Sequence, residues 1–275
     1  MRKINLIAAM AFSVILLSNC KKEDEKPAAN DGNKTGNTAI EVVQKNTSIF
    51  GKLTATWCGP CGSWGWTLND ELIAQLGSDA ISMGLYGSNS SNFTNATVTQ
   101  WNTDFGGKSF PNFIANGTNK TDFPTPTTIN PAQTKTNVLD AVSAHKNAEV
   151  EINAGGKFSW DNQILKVKAA VKSFKALTGE YYIGAYMVED KAKSVQAGRT
   201  GTVDHHHVCR GTMSENNIYG VKYNGALTAG TQTSIDDFTF DVPATWVKEN
   251  MYVAIIIWKK VGTKYTFVNA SKLGK

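Results

Sequence analysis

Apolar positions in the first half of the chain change period several times, and each change marks an element. Ser48 to Thr56 carries Ile49, Leu53 and Ala55 in a β-compatible run. Trp64, Leu68, Leu72, Ile73 and Leu76 then recur at steps of three and four, which is one face of a helix, and Gly77 suits its end. Ile81 to Tyr86 predicts a second buried strand, and Thr97 to Phe105 a short helix closed by Gly106-Gly107. Asn116-Gly117 is a hairpin turn signal. Asn130-Pro131, a cap residue followed by proline at the first helical position, opens a last helix whose Val138, Leu139 and Val142 face the core.

From Glu149 the texture changes. Leu165, Val167, Ala169 and Val171 alternate with Lys166, Lys168, Ala170 and Lys172 in the period of a half-exposed strand. Tyr181–Val188, Phe238–Val242, Tyr252–Trp258 and Tyr265–Val268 predict further strands between Gly, Asn and Asp turns. No long helical period interrupts them. The expected architecture is an α/β domain over 39–148 followed by an all-β antiparallel sandwich over 149–275.

The N-terminus reads differently again. Arg2 and Lys3 precede an apolar stretch from Leu6 to Leu17, the order of a secretory signal and too short to span a bilayer. It ends in Leu17-Ser18-Asn19-Cys20, which resembles the bacterial lipobox; that resemblance implies a signal peptide over 1–19 and lipidation of Cys20. Asn19 departs from the usual small residue. Residues 20–38, opening with Lys21-Lys22-Glu23-Asp24-Glu25-Lys26 and continuing polar, cannot bury enough surface to order themselves and are expected to be a disordered tether. The charged cluster resembles surface-export signals of Bacteroidetes lipoproteins, and a solvated charge run is the other reading. At 41% hydrophobic and 19% charged, the chain supports a sizeable core. Its formal charge of +5 includes the two leader residues and is scattered, so nucleic acid is not an expected partner.

Four cysteines carry the candidate chemistry. With Cys20 assigned to lipid, Cys58 and Cys61 form a pair in Trp57-Cys58-Gly59-Pro60-Cys61, leaving Cys209 alone. A disulfide-stapled fold is thereby excluded. A thiolate is the attacking species in thiol exchange. Cys58 falls at a predicted helix start, where unpaired N–H groups favour negative charge, so it is the expected nucleophile and Cys61 the resolving thiol. Half of a zinc site is the other reading of the pair, but a zinc ribbon needs a second ligand pair. No metal and no cofactor are expected.

The strand, dithiol and helix, then Phe105-Gly106, Pro111 and Asn116-Gly117 in order, resemble the thioredoxin fold over roughly a hundred residues. The resemblance implies a cis Pro111 facing the dithiol. It also implies that Trp57, Gly59, Pro60, Phe110 and Pro111 contact a disulfide- or thiol-containing protein or peptide. One departure is Lys52, six residues before Cys58, where thioredoxins carry a buried acid. As a lysine it is expected to point to solvent, and the direction of electron flow stays open.

Tyr186-Met187-Val188-Glu189-Asp190 and His205-His206-His207-Val208-Cys209-Arg210-Gly211, together with the lipobox and the dithiol half, resemble the outer-membrane-protein-28-related lipoproteins of Bacteroidetes. That resemblance implies attachment to the outer membrane, facing the periplasm or the cell surface. On a strand, His205, His207 and Cys209 would share one face, a conceivable soft-metal set, with a structural cluster as the other reading. Cys209 is expected to be a buried small residue. Two functions follow: an envelope thiol–disulfide oxidoreductase, or a non-enzymatic surface lipoprotein whose sandwich binds a protein or glycan.

Overall fold

In the computed structural model, residues 39–274 are described, save 88, 91, 92, 126 and 127. The signal peptide, Cys20 and the tether therefore lie outside the described residues.

The first strand, β1 (Ser48–Thr54), is buried along its whole length. It runs into a short helix, α1 (Gly59–Gly62), and then α2 (Trp64–Leu76), with β2 (Ala80–Tyr86) returning parallel to β1. Next come α3 (Ala96–Asp104), the hairpin β3 (Asn112–Ala115) and β4 (Thr118–Asn119), and α4 (Pro131–Lys146). Asn95 caps α3 and Asn130 caps α4, each side chain accepting from the backbone N–H three residues on.

The remainder is β: β5 (Ile152–Asp161), β6 (Ile164–Ser173), β7 (Glu180–Glu189), β8 (Ala192–Val195), β9 (Thr202–His205), β10 (Val208–Thr212), β11 (Val221–Lys222), β12 (Gln232–Asp241), β13 (Met251–Val261) and β14 (Lys264–Leu273). The chain is thus mostly β, with a mixed sheet and few helices.

Among the described residues that sheet has nine strands in the order β14-β13-β7-β10-β2-β1-β3-β4, with β11 on β7. The expected boundary at 148/149 falls between α4 and β5, yet the sheet crosses it: β10 lies parallel to β2 at Val208 and Gly84, and Gly84 N–H donates to the His207 carbonyl at 2.7 Å. The described residues, 39–274, fall in one compact unit.

Strand parity sorts the core. Phe50 and Phe113 face α2 and α4, meeting Leu68, Leu72, Leu76, Val138 and Val142. Ile49, Leu53, Met83 and Leu85 face the other way, against Val98 and Trp101 of α3. The same α3 face packs on Tyr186 and Trp258, whose rings lie 4.8 and 5.7 Å from Trp101. A helix from the first half thereby buries strands from the second, the physical reason that no core boundary appears at 148/149.

A separate antiparallel sheet, β12-β6-β5, lays Leu165, Val167, Ala169 and Val171 over Ile183, Ala185, Val253 and Ile255. β13 is consequently buried on both faces, which accounts for the unbroken apolar run from Met251 to Trp258.

Candidate redox site

The dithiol sits where β1 ends and α1 begins. Cys58 and Cys61 form a disulfide with Cα atoms 5.3 Å apart. Cys58 is the cap residue of α1, and its Sγ accepts a hydrogen bond from the Cys61 N–H at 3.2 Å. Once the disulfide opens, that donor faces whatever charge gathers on Cys58, and such a bond is stronger to a thiolate than to a thiol. Cys58 is 5% exposed and Cys61 fully buried.

The site residues expected from the sequence fall into one neighbourhood. Phe110 packs against Ala55, Cys58 and Cys61, and its ring lies 5.9 Å from that of Trp57 in an edge contact. Trp57 itself is 55% exposed. The Phe110–Pro111 bond is cis. Two glycines admit this loop: a Cβ on Gly87 would come within 2.3 Å of the Phe110 ring, and one on Gly65 within 2.7 Å of the Pro111 ring. Pro60 is exposed and Gly59 half-buried on the outer turn of α1.

Lys52 corrects the expectation of a solvent-facing lysine. It is buried, with its Nζ 5.0 Å from the centre of the Trp66 ring on α2. The reason is its position: β1 is a central strand covered on both faces, so parity sends Lys52 under α2 with Phe50. Burial pulls its pKa down to about 8, with Asp70 opposing and Arg199 reinforcing the shift.

The residues that sequence reasoning missed come from the loop between β8 and β9. Gln196 is 3% exposed, and its side-chain N–H group donates to the carbonyls of Ala55 at 3.2 Å and Cys58 at 3.0 Å. The Ala197 N–H donates to the Thr56 carbonyl at 2.7 Å. Arg199 donates through Nε to the Gly62 carbonyl at 3.1 Å and stacks its guanidinium 4.2 Å from the centre of the Trp66 ring. The only local signal is the pair Gly198 and Gly201, which marks a turn and does not say what the turn lies against.

His205, at the end of β9, is fully buried with its ring edge-on to Trp66, Tyr86 and Phe93. Its Nε2 faces the Ser194 carbonyl at 3.3 Å and its Nδ1 the Tyr86 hydroxyl at 2.6 Å. A carbonyl only accepts, so Nε2 carries the proton and Nδ1 accepts from Tyr86. Burial pulls the pKa of His205 down to about 4.

The three histidines do not share a strand. β9 ends at His205, and His207 has a positive φ of 57° in the turn before β10. His206 pairs with Asp190 at 2.8 Å instead. Among the described residues, no group of three or more His, Cys, Asp or Glu is placed to hold a metal ion. Cys209 is fully buried, and burial pushes its thiol up to about 12, so it is inert at neutral pH.

No protein-family model matches the chain, and no curated protein matches it. Among solved structures, the chain is similar to HBP35 of Porphyromonas gingivalis, with a TM-score of 0.66 at 15% identity, over 84% of this chain and 76% of that one. This likeness shows a shared fold. A domain of the outer membrane lipoprotein Omp28 from the same organism aligns at 19% identity over 43% of this chain and 94% of that one, but its TM-score of 0.27 carries no argument.

Proposed function

We propose that this protein is a lipid-anchored thiol–disulfide oxidoreductase of the bacterial cell envelope, acting on protein or peptide disulfides through Cys58 and Cys61. The observation that carries the reading is a bonded cysteine pair at a helix start, with Phe110 and cis Pro111 packed beside it. The order β1, dithiol, α2, β2, α3, β3, β4, α4 supports a thioredoxin-like unit, and the β strands that follow serve as a spacer or recognition module.

In the reducing direction, the Cys58 thiolate attacks one sulfur of a partner disulfide, forming a mixed disulfide and releasing the partner's other sulfur as a thiolate that takes up a proton. The Cys61 thiol, losing its proton, then attacks the Cys58 sulfur. This releases the second partner thiolate and leaves Cys58–Cys61 oxidised; two electrons pass to the partner. The reverse sequence makes the same site an oxidase. Exposed Trp57 offers the partner an apolar platform. Buried Lys52 and Arg199 stand over the Trp66 ring of α2 with Asp70 opposing their charge, and the direction of electron flow is read from a glutathione titration of the Cys58–Cys61 couple.

Anchoring is assigned to Cys20, which lies outside the described residues, on the lipobox resemblance, and attachment to the outer membrane on the resemblance to the outer-membrane-protein-28-related lipoproteins. No helix among the described residues is long and apolar enough to cross a membrane. Metabolic labelling with palmitate should mark the wild type and leave Cys20→Ser unlabelled; equal labelling of both removes the anchor.

Burial of both cysteines favours a second reading, a surface lipoprotein in which the disulfide is scaffold. Insulin reduction with dithiothreitol separates the two. Catalysis by the wild type that disappears in Cys58→Ser supports the oxidoreductase; no catalysis, or catalysis that survives the substitution, supports the scaffold.

A further inference from the structure

The backbone of the dithiol turn is held from outside itself. Between Ala55 and Gly62, four carbonyls accept hydrogen bonds from one stretch of the β8–β9 loop: Ala55 and Cys58 from Gln196, Thr56 from Ala197, and Gly62 from Arg199. The fit is close on both sides. A Cβ on Gly62 would come within 2.1 Å of the Ala197 carbonyl oxygen, and one on Gly198, whose φ is +85°, within 2.7 Å of the Gly59 carbonyl oxygen. Connecting loops ordinarily run over the surface with their polar groups in water. Here an amide side chain is buried and turns its donors toward the cysteine turn.

We propose that this strap, Gln196–Arg199, is a working part of the redox site, with Gln196 and Arg199 as positioning residues that keep Cys58 and Cys61 at ring-closing distance when the disulfide is open. The proposal rests on the reading of Cys58–Cys61 as an exchanging pair and goes beyond it by assigning the second half of the chain a role in the exchange.

The consequence follows from proximity. With glutathione disulfide as oxidant, the Cys58 thiolate attacks one of its sulfurs, forming a Cys58–glutathione mixed disulfide and releasing one glutathione. The Cys61 thiolate then attacks the Cys58 sulfur, closing the protein disulfide and releasing the second glutathione. The protein loses two electrons and two protons, and glutathione disulfide gains them. The closing step is intramolecular, so its rate and equilibrium depend on how narrowly the two sulfurs are held relative to each other. A strap that fixes the carbonyls of the turn narrows that distribution; a loosened strap widens it.

The test is equilibration of the full chain with glutathione buffers, read by mass spectrometry for three species: dithiol, mixed disulfide and protein disulfide. Gln196→Met keeps the side chain's volume and removes both donors. Gly62→Ala keeps the amide donors of Gln196 but presses its methyl on the Ala197 carbonyl oxygen at 2.1 Å and on Gln196 Cγ at 2.9 Å, displacing the strap by a different route. Each variant is expected to accumulate mixed disulfide and to lower the equilibrium constant for ring closure by about tenfold, ~30 mV toward the oxidising side for a two-electron couple. A loss of stability alone would not move this ratio in molecules that remain folded. Wild-type amide exchange adds a reading that needs no variant, in which the Ala197 N–H stays protected with the disulfide both open and closed. The strap proposal is overturned if both variants close the ring as the wild type does, or if Ala197 exchanges like an open loop in both redox states. A wild type that never exchanges with glutathione overturns the oxidoreductase reading and the strap's role together.

Discussion

The cysteine turn has two walls, and they are built differently. One, Phe110-Pro111, comes from the same half of the chain and contacts the turn with rings: Phe110 against Trp57, Cys58 and Cys61, and Pro111 against Gly65. The other, Gln196–Arg199, comes from a loop more than a hundred residues downstream and contacts the turn with hydrogen bonds to its carbonyls. Rings can slide and still exclude water, whereas a carbonyl held at 2.7 to 3.2 Å fixes the backbone that carries the sulfurs. The apolar wall therefore shapes what may approach, and the polar wall sets where the cysteines stand.

Substitutions that press on one wall at a time sharpen this contrast. Gly62→Ala should have the largest effect on stability, because its methyl meets a backbone oxygen at 2.1 Å that cannot turn aside; a loss of about 3 kcal/mol is expected, the upper part of the range for overpacking. For a folded unit of this size that is roughly 2–4 °C in Tm per kcal/mol, readable by calorimetry. Gln196→Met comes next. It leaves the Ala55 and Cys58 carbonyls without their side-chain donor, at about 1–3 kcal/mol in denaturant unfolding. Gly65→Ala presses on the buried Pro111 ring at 2.7 Å and on the Pro60 carbonyl oxygen at 3.1 Å, and should lose about 1–2 kcal/mol. At Gly59 nothing lies within 4 Å of an added Cβ, so alanine there should shift stability by less than about 0.5 kcal/mol. Equal losses at Gly62 and Gly59 would remove the distinction between a covered and an open side of the turn.

The apolar wall was legible in the sequence because its parts are local and chemically marked. A helix closing on Phe105-Gly106, a proline and an Asn-Gly turn follow one another in a fixed order, and α2, β2 and α3 lie within a residue or two of their expected ends. The polar wall was not. Gln196 and Arg199 are common loop residues, and their meaning lies in the pairing of β10 with β2, which joins at the Val208–Gly84 pair and brings the whole β8–β10 segment to the dithiol. The same pairing explains why an expected boundary at 148/149 is crossed by one sheet. β5 was also missed, since Gly155-Gly156 interrupts its apolar pattern; Gly155 is needed because a Cβ there would meet the Glu41 carbonyl oxygen at 2.0 Å. Lys52 misled for a related reason, because its burial is decided by layers on both faces of β1 and not by its own chemistry.

A smaller effect is expected from pH. His205, on the hairpin that carries the strap, takes a proton near 6.5 when free but only at about 4 in the fold, because burial disfavours its charged form. Between those values the unfolded chain binds more protons, so stability falls as pH drops from about 6.5 to about 4. His207, also pulled down by burial, acts in the same sense. His206, raised by the hydrogen bond its ring N–H donates to the Asp190 carboxylate, acts in the opposite sense, its contribution being present below 6.5 and lost as pH rises through its folded value. His205→Gln keeps an acceptor for Tyr86 and should flatten the slope of stability between pH 6.5 and 4. An unchanged slope would place the titration elsewhere.

The central claim is that Cys58 attacks and Cys61 resolves, and trapping measures it most directly. Reduced Cys61→Ser protein mixed with insulin should accumulate a covalent adduct through Cys58 that dithiothreitol releases, while the wild type turns over and Cys58→Ser forms none. An adduct that is absent from Cys61→Ser, or equally abundant in Cys58→Ser, would contradict the account.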